Sequence, residues 1–376
     1  MTSERHSMVE NQDHLLSLAR QFILQGQVLE VREYGRGNVN DTFLVNLNRP
    51  EEPRFILQRL NTRVFRHPQL IMGNLRLVTQ HVRRRLKHQP LDPGRRFELP
   101  RVLLTRGGRD HIVDPEGSFW RALSFISGAQ TFDTIKDETH AREVGWALGL
   151  FHRLLDDLPA DQLADTLPGF HLTPSYLTYY DEVLAKHGAA ASPDINYCLK
   201  FVEQQRAGAS VLEEAHAHGK LVLRPIHGDP KVNNFMIDTG TGQAVSLVDL
   251  DTVKPGLVHY DIGDCLRSGC NLQGEETEQW EAVRFEPEPA RAILQGYFSQ
   301  ARDFLTDHDF RYLYDAIRVI TFELGLRFFT DHLAGNVYFK VRYPGHNLMR
   351  ALVQFKLTES IESQAATIQA IIRDLK

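Results

Sequence analysis

No run of apolar residues in this chain approaches the roughly 20 needed to cross a bilayer, so neither a spanning helix nor a membrane partner is expected. Cysteine is scarce. Cys198, Cys265 and Cys270 make an odd count of three without the paired spacing of a zinc site, which suits a reducing compartment. The short separation of Cys265 and Cys270 reads as two small buried apolar residues. An excess of basic charge is also missing: 43 Lys and Arg stand against 48 Asp and Glu, a net charge of −5, which argues against general nucleic-acid binding. The run HVRRRLKH at 81–88 is the local exception. Its arginines fall behind an apolar helical stripe, as a solvated face does. Internal repeats and low-complexity segments are absent. The first residues, MTSERHSMVENQDH, lack the apolar core of a signal peptide, so a cytoplasmic location is expected.

What is present fits a soluble enzyme. At 376 residues the chain exceeds the usual single-domain size, and two lobes are expected. Strands are read at Gly26–Tyr34, Thr42–Leu47 and Arg54–Leu60, then a helix with Ile71, Leu75, Val78, Val82 and Leu86 spaced three or four apart. Short strands follow at Leu99–Leu104, His111–Val113 and Ser118–Ser124, and the pattern then turns helical from Ala141, again from Tyr176 and Ala316, and finally over Ser360–Leu375. This is the order of a kinase amino-terminal lobe followed by a helical one. The expected class is α+β: a small antiparallel-sheet lobe over 21–127 behind an extension at 1–20, and a larger, mainly helical lobe over 128–376. Phe125, Ile126, Ser127 and Gly128 would form the hinge, with Phe125 and Ser127 near an adenine. A monomer or weak homodimer is expected.

The chemistry is concentrated in IHGDPKVNNFMID and the AVSLVDLDT that follows one turn later. Two strands flank the turn Thr239–Gly242, forming a hairpin from whose open end Asn234 and Asp249 both project, offset by about two residues or roughly 7 Å. Magnesium takes hard oxygen ligands, usually one or two protein groups completed by phosphate and water, and this pair meets that need. Asp251 is either a further metal-shell carboxylate or a surface-loop residue. Asp229 precedes Asn234 by the spacing of a kinase catalytic loop, in which the Asp is the base and the Asn holds metal. Lys231 can set positive charge against phosphoryl oxygens. His227, ahead of the loop, reads as a structural anchor.

At these residues the chain resembles the aminoglycoside phosphotransferase and choline kinase-like superfamily, with its HGDxxxxN signature and following acidic segment. Within it the resemblance points to the N-acetylhexosamine 1-kinase group, through NDTFLV at 40–45, FILQRLNTRVFRHP at 55–68, YDIGDCLRSG at 260–269 and LRFFTDHLAGNVYFK at 326–340. The resemblance implies a two-lobed protein-kinase-like fold, ATP and magnesium as cofactors, and a small hydroxyl acceptor. A sugar phosphorylated at its anomeric hydroxyl is the first expectation; an amino alcohol, an aminoglycoside or methylthioribose are alternatives. It further implies that Asp261 braces the catalytic loop, that Arg267 and Arg327 line the acceptor pocket with Asp229, and that Tyr338 or Phe339 packs on a sugar face.

The nucleotide half departs from the kinase pattern. Gly35 and Gly37 sit in the first hairpin loop, where glycines let amides approach phosphates, and Asn38 and Asn40 accompany them. Asn38 stands where the hexosamine kinase group tends to show His. If FILQ occupies the protein-kinase VAIK strand, Gln58 replaces the phosphate-holding lysine. Arg59 alternates to the other face, and Gly73 and Asn74 stand where its helix Glu would be. Loss of both members of an ion pair is coherent, since either alone would be an unpaired charge. Two readings follow: an active small-molecule kinase in which Lys231 and metal supply the charge, or a nucleotide-binding regulatory pseudokinase. A bare interaction protein with a kinase-like shell is a third class.

Overall fold

A computed structural model describes residues 2–23, 25–35, 39–51 and 53–376. Gly37 and Asn38, expected to approach phosphate, lie outside the described residues. The chain divides into two compact units, one of residues 1–80 and 99–127 and one of residues 81–98 and 128–376.

The first unit holds α1 (Thr2–Gln21), β1 (Val28–Glu33), β2 (Asp41–Leu47), β3 (Arg54–Leu60), the start of α2 (Pro68–His88), β4 (Val102–Leu103), β5 (Ile112–Val113) and β6 (Phe119–Ser124). The strands form an antiparallel sheet in the order β1-β2-β3-β6-β4, with β5 also paired to β6. Strand alternation sorts the side chains by face. Phe55, Leu57, Ala122 and Trp120 meet Leu15, Leu18 and Phe22 in one core cluster, whereas Leu60 and Phe119 pack with Met72 of α2 in another. The second half of α1 and the residues just after it therefore supply part of the sheet's core.

The second unit contains β7 (Ala129–Gln130), α3 (Glu138–Leu155), α4 (Thr173–His187), α5 (Pro193–Gln205), α6 (Val211–Ala217), β8 (Arg224–Ile226), β9 (Phe235–Asp238), β10 (Ala244–Leu247) and β11 (Lys254–Gly256). After these come α7 (Val258–Gly269), α8 (Pro287–Ala301), α9 (Asp307–Arg311), α10 (Leu313–Leu333), α11 (His346–Ser363) and α12 (Ala365–Leu375). The expected carboxy-terminal helix is broken at Gln364, whose Nε2 donates to the Phe285 carbonyl at 2.7 Å.

The helices start and pack for local reasons. Asp137 caps α3 by accepting from His140 N, and Ser192 caps α5 by accepting from Ile195 N, with Pro193 at the first helical position. Helices α3 and α8 meet backbone to backbone: a Cβ on Gly145 would overlap the Ile293 carbonyl, and one on Gly296 the Arg142 carbonyl. A core of Phe201, Phe322, Phe329, Phe355 and Tyr180 joins α4, α5, α10 and α11, each ring contributing about 1.5–3 kcal/mol by its burial. The three cysteines are free and buried. Among the described residues no helix is long and apolar enough to cross a membrane.

Candidate active site

The loop after β8 is clamped at nearly every main-chain polar atom. Asp261 on α7 accepts from His227 N at 2.7 Å and Gly228 N at 2.8 Å, the bracing role expected of it. Thr252 Oγ1 donates to the His227 carbonyl at 2.8 Å. His152 Nε2 lies 2.9 Å from Asp261 Oδ2, and its Nδ1 lies 2.9 Å from the Tyr297 hydroxyl. Gly228 has a φ of 87°, a conformation that disfavours any side chain. His227 Nδ1 accepts from Asp229 N at 3.2 Å, so Nε2 carries the hydrogen and donates to the Val248 carbonyl at 3.0 Å. That pattern fixes a neutral ring, and burial accordingly pushes this imidazole below its usual range. Both ring nitrogens of His227 are therefore engaged by the main chain, one by Asp229 N and one by the Val248 carbonyl.

The loop delivers Asp229 and Lys231 as a pair, Nζ to Oδ2 at 2.9 Å, both side chains about a third exposed (28% and 34%). Burial pushes the Asp229 carboxyl up, but the Lys231 charge outweighs it and holds the group below the ordinary carboxylate range. Burial acts to depress Lys231 as well; Asp229 first and then Asp249 overcome it and raise the ammonium. Asn234 Nδ2 donates to the Asp229 carbonyl at 2.7 Å, which directs the amide oxygen away from that bond.

The hairpin β9–β10 pairs Phe235 with Leu247, and Val248 N donates to the Asn234 carbonyl at 2.9 Å. A register shift between Ala244 and Ser246 leaves Asp249 one residue past the partner of Asn234, closer than the two residues read from sequence. Asp249 takes φ 64°, turning the chain sharply there. Asp251 is buried at 2% exposure, which removes the surface-loop alternative. Among the described residues no three His, Cys, Asp or Glu side chains gather as a metal cluster; an Asn–Asp pair is the smaller set that magnesium needs beside phosphate.

Further side chains of the second unit surround Asp229 electrostatically. Arg267, 3% exposed, donates Nε to Asp264 Oδ1 at 2.8 Å and Nη1 to Glu275 Oε2 at 3.0 Å. Asp264 Oδ2 is buried and has no hydrogen-bond partner among the described residues. Burial and the nearby Asp229 charge hold that carboxyl above its usual range despite Arg267. Arg327 lies over Phe170, Tyr176, Tyr338 and Phe339, with centroid distances of 5.0, 5.1, 5.9 and 5.4 Å. The segment carrying Tyr338 and Phe339 hangs on Asp331, whose oxygens accept from Val337 N, Tyr338 N and Phe339 N at 2.8, 2.8 and 2.9 Å and from Asn347 Nδ2 at 2.9 Å. Asp264 and Glu275 escape sequence reasoning, although the spacing of Asp264 and Arg267 on one helix turn was a usable signal.

In the first unit Gln58 donates Nε2 to Thr42 Oγ1 at 3.0 Å and accepts from Arg121 Nε and Nη2 at 3.1 and 2.8 Å. Gln58 and Arg121 are register partners across β3 and β6, so a buried cation that the sequence reading missed shares the face of Gln58. Arg59 is on the other face, paired to Asp41 at 2.6 Å. Asn40 Oδ1 accepts from Asn61 N at 3.0 Å, and Gly35 has φ 80°. Phe125 packs against Tyr34 edge-on and beneath Arg54, while Ser127 is exposed.

Comparison with known proteins agrees with the fold. A model of the phosphotransferase enzyme family matches residues 30–308. Among solved structures, a microcompartment-associated aminopropanol kinase is similar with a TM-score of 0.63 at 15% identity, over 94% of this chain and 98% of that one. An aminoglycoside phosphotransferase from Alicyclobacillus acidocaldarius gives 0.62 at 14%, over 95% and 96%. A choline kinase from Cryptosporidium parvum gives 0.60 at 14%, over 96% and 97%. At these identities the likeness establishes a shared fold across nearly the full length.

Proposed function

The chain belongs to the phosphotransferase enzyme family, and we propose that it is a magnesium-dependent small-molecule kinase that moves the γ-phosphoryl group of ATP to a hydroxyl of a neutral sugar, an N-acetylhexosamine at its anomeric oxygen being the first choice. The relatives named above act on aminopropanol, choline and aminoglycosides. One observation turns the reading away from such cationic acceptors: the rings that could cage an ammonium group already surround the Arg327 guanidinium. An ammonium acceptor would compete with that guanidinium for the same ring faces, whereas an uncharged polyol can use aromatic faces and charged hydrogen-bonding groups together.

Asp229 accepts the proton of the acceptor hydroxyl as its oxygen bonds to phosphorus and the bond to the departing ADP breaks. Lys231 keeps Asp229 ionised and adds positive charge beside the transfer. Asn234 and Asp249 would hold magnesium, Asn234 through the amide oxygen that its bond to Asp229 leaves exposed to a cation, with Asp251 as outer support. Through those residues the site would gain a magnesium charge that offsets the phosphate charge. Arg267 and Arg327, with Tyr338, Phe339 and Asp264, are assigned to the acceptor. In the first unit the nucleotide contacts are assigned to Gly35, Asn40, Gln58, Phe125 and Ser127, with Arg121 supplying the charge of the missing lysine.

Phosphorus NMR of the protein with magnesium, ATP and a panel containing N-acetylglucosamine, N-acetylgalactosamine, choline and aminopropanol tests the reading. A new anomeric phosphate signal, absent with Asp229→Asn, is expected. Transfer to choline or aminopropanol alone would overturn the neutral-acceptor assignment. ATP binding without any product would favour the regulatory pseudokinase instead.

A further inference from the structure

His171 is held just ahead of α4 with φ 66°, a backbone conformation that side chains other than glycine's adopt reluctantly. That turn aims its buried ring at two acceptors. Nε2 lies 2.7 Å from the Gly228 carbonyl oxygen, and Nδ1 lies 3.0 Å from Glu323 Oε1 on α10. The other Glu323 oxygen accepts from Thr173 Oγ1 at 2.7 Å. A neutral imidazole carries one N–H and could satisfy only one of these neighbours. Against a carboxylate at 323, which can only accept, the geometry calls for hydrogen on both nitrogens.

The surroundings agree. The ring lies against Phe170, with centroids 4.0 Å apart, and stacks on Tyr260 at 5.3 Å, faces that attract a cation. The acidic groups around it are Glu323 from α10, Asp264 from α7, Glu213 from α6 by way of the Tyr260 hydroxyl, and Tyr176 from α4; two cations oppose them, Arg327 of α10 across the Phe170 and Tyr176 rings and Lys254 of β11 at the Phe170 carbonyl. Burial acts to discharge the ring, but Glu323, the Gly228 carbonyl and Asp264 together raise its proton affinity above the usual value.

We propose that His171 is a positioning residue for phosphoryl transfer: as a buried imidazolium it holds the Gly228 carbonyl, and so fixes the peptide that carries Asp229. The same loop thus uses two histidines in opposite states, His227 neutral and His171 charged. The link to catalysis rests on Asp229 being the base. Loss of the proton at alkaline pH leaves a lone pair facing either Gly228 or Glu323, and the loop relaxes. A group with raised proton affinity contributes its stabilisation below its folded midpoint and loses it as pH rises through that midpoint.

Nitrogen NMR of the full chain carrying labelled histidine tests this without any acceptor. Both His171 ring nitrogens are expected in the protonated range at pH 7.5, and the backbone amides of Gly228 and Asp229 are expected to titrate with the same alkaline midpoint. A carboxamide at position 323 can donate to Nδ1, so Glu323→Gln lets a neutral ring keep its bond to Gly228 and should lower the midpoint by about one pH unit or more. The alkaline limb of kcat with N-acetylglucosamine should move with it while the acceptor KM stays within about twofold. A neutral ring at pH 7.5, or amides that ignore its titration, overturns the proposal. Failure of sugar turnover alone leaves the ring and amide signals to decide it.

Discussion

Asn234 donates its side-chain N–H to the main-chain carbonyl of Asp229 at 2.7 Å, so the residue assigned to the metal also orients the residue assigned as base. Removing the side chain should affect both functions. Asn234→Ala is expected to lower kcat by about 100-fold with nucleotide affinity also reduced. Asn234→Asp, which restores an oxygen but sets a carboxylate against the carbonyl, should recover nucleotide binding better than kcat. Calorimetric titration of magnesium ATP beside steady-state rates separates the two.

Gly228 is irreplaceable for a different reason. Its φ is 87°, and a Cβ would lie 2.7 Å from the Thr252 carbonyl oxygen. Gly228→Ala should destabilise the fold by about 1–3 kcal/mol and abolish turnover. Urea unfolding midpoints measure the first effect; an unchanged midpoint would contradict the close contact.

Glu213 gives a pH signature. Its Oε1 accepts from the Tyr260 hydroxyl at 3.1 Å and its Oε2 is buried without a partner among the described residues. Burial raises this carboxyl from 4.5 to about 7. Between those values the folded chain binds more protons than the unfolded one, so its contribution to stability declines as pH rises through that window and stays lost above it. Glu213→Gln should remove the decline and exceed the parent in stability at pH 8, with little gain at pH 4. Urea midpoints at both pH values would show it; parallel curves would not.

Arg327 separates acceptor from nucleotide. Arg327→Met keeps the packing against four rings and removes the charge. The KM for a sugar acceptor is expected to rise about 10- to 100-fold, the scale of a lost charged hydrogen bond, with the KM for ATP within about twofold. Gain of choline transfer by this variant would mark the guanidinium as the element that excludes ammonium groups.

Local order was readable from the chain where patterns are short. Strand β3 occupies Arg54–Leu60 as its alternation implies, α2 buries Ile71, Leu75, Val78 and Val82, and the hairpin brings Asn234 and Asp249 to one end. Spacing within one loop or one hairpin needs no tertiary information. His171 and Glu323 were invisible because their partners lie 57 and 152 residues away in sequence. Arg121 was missed because 63 residues and a strand crossover separate it from Gln58. Residues 81–98 group with the second unit, which nothing in their helical pattern and polar loop announces.

Asp331 suspends three successive peptides from one carboxylate, so the backbone of 337–339 is set by a residue outside the segment. The exposed side chains of Val337 and Tyr338 are thereby not needed for the loop's shape, whereas Phe339 also packs on Phe328 of the helical core. Such a construction is an exchangeable cassette: new acceptor preferences could be selected by randomising positions 337 and 338 while Asp331, Phe339 and Asn347 stay constant, leaving the catalytic loop untouched.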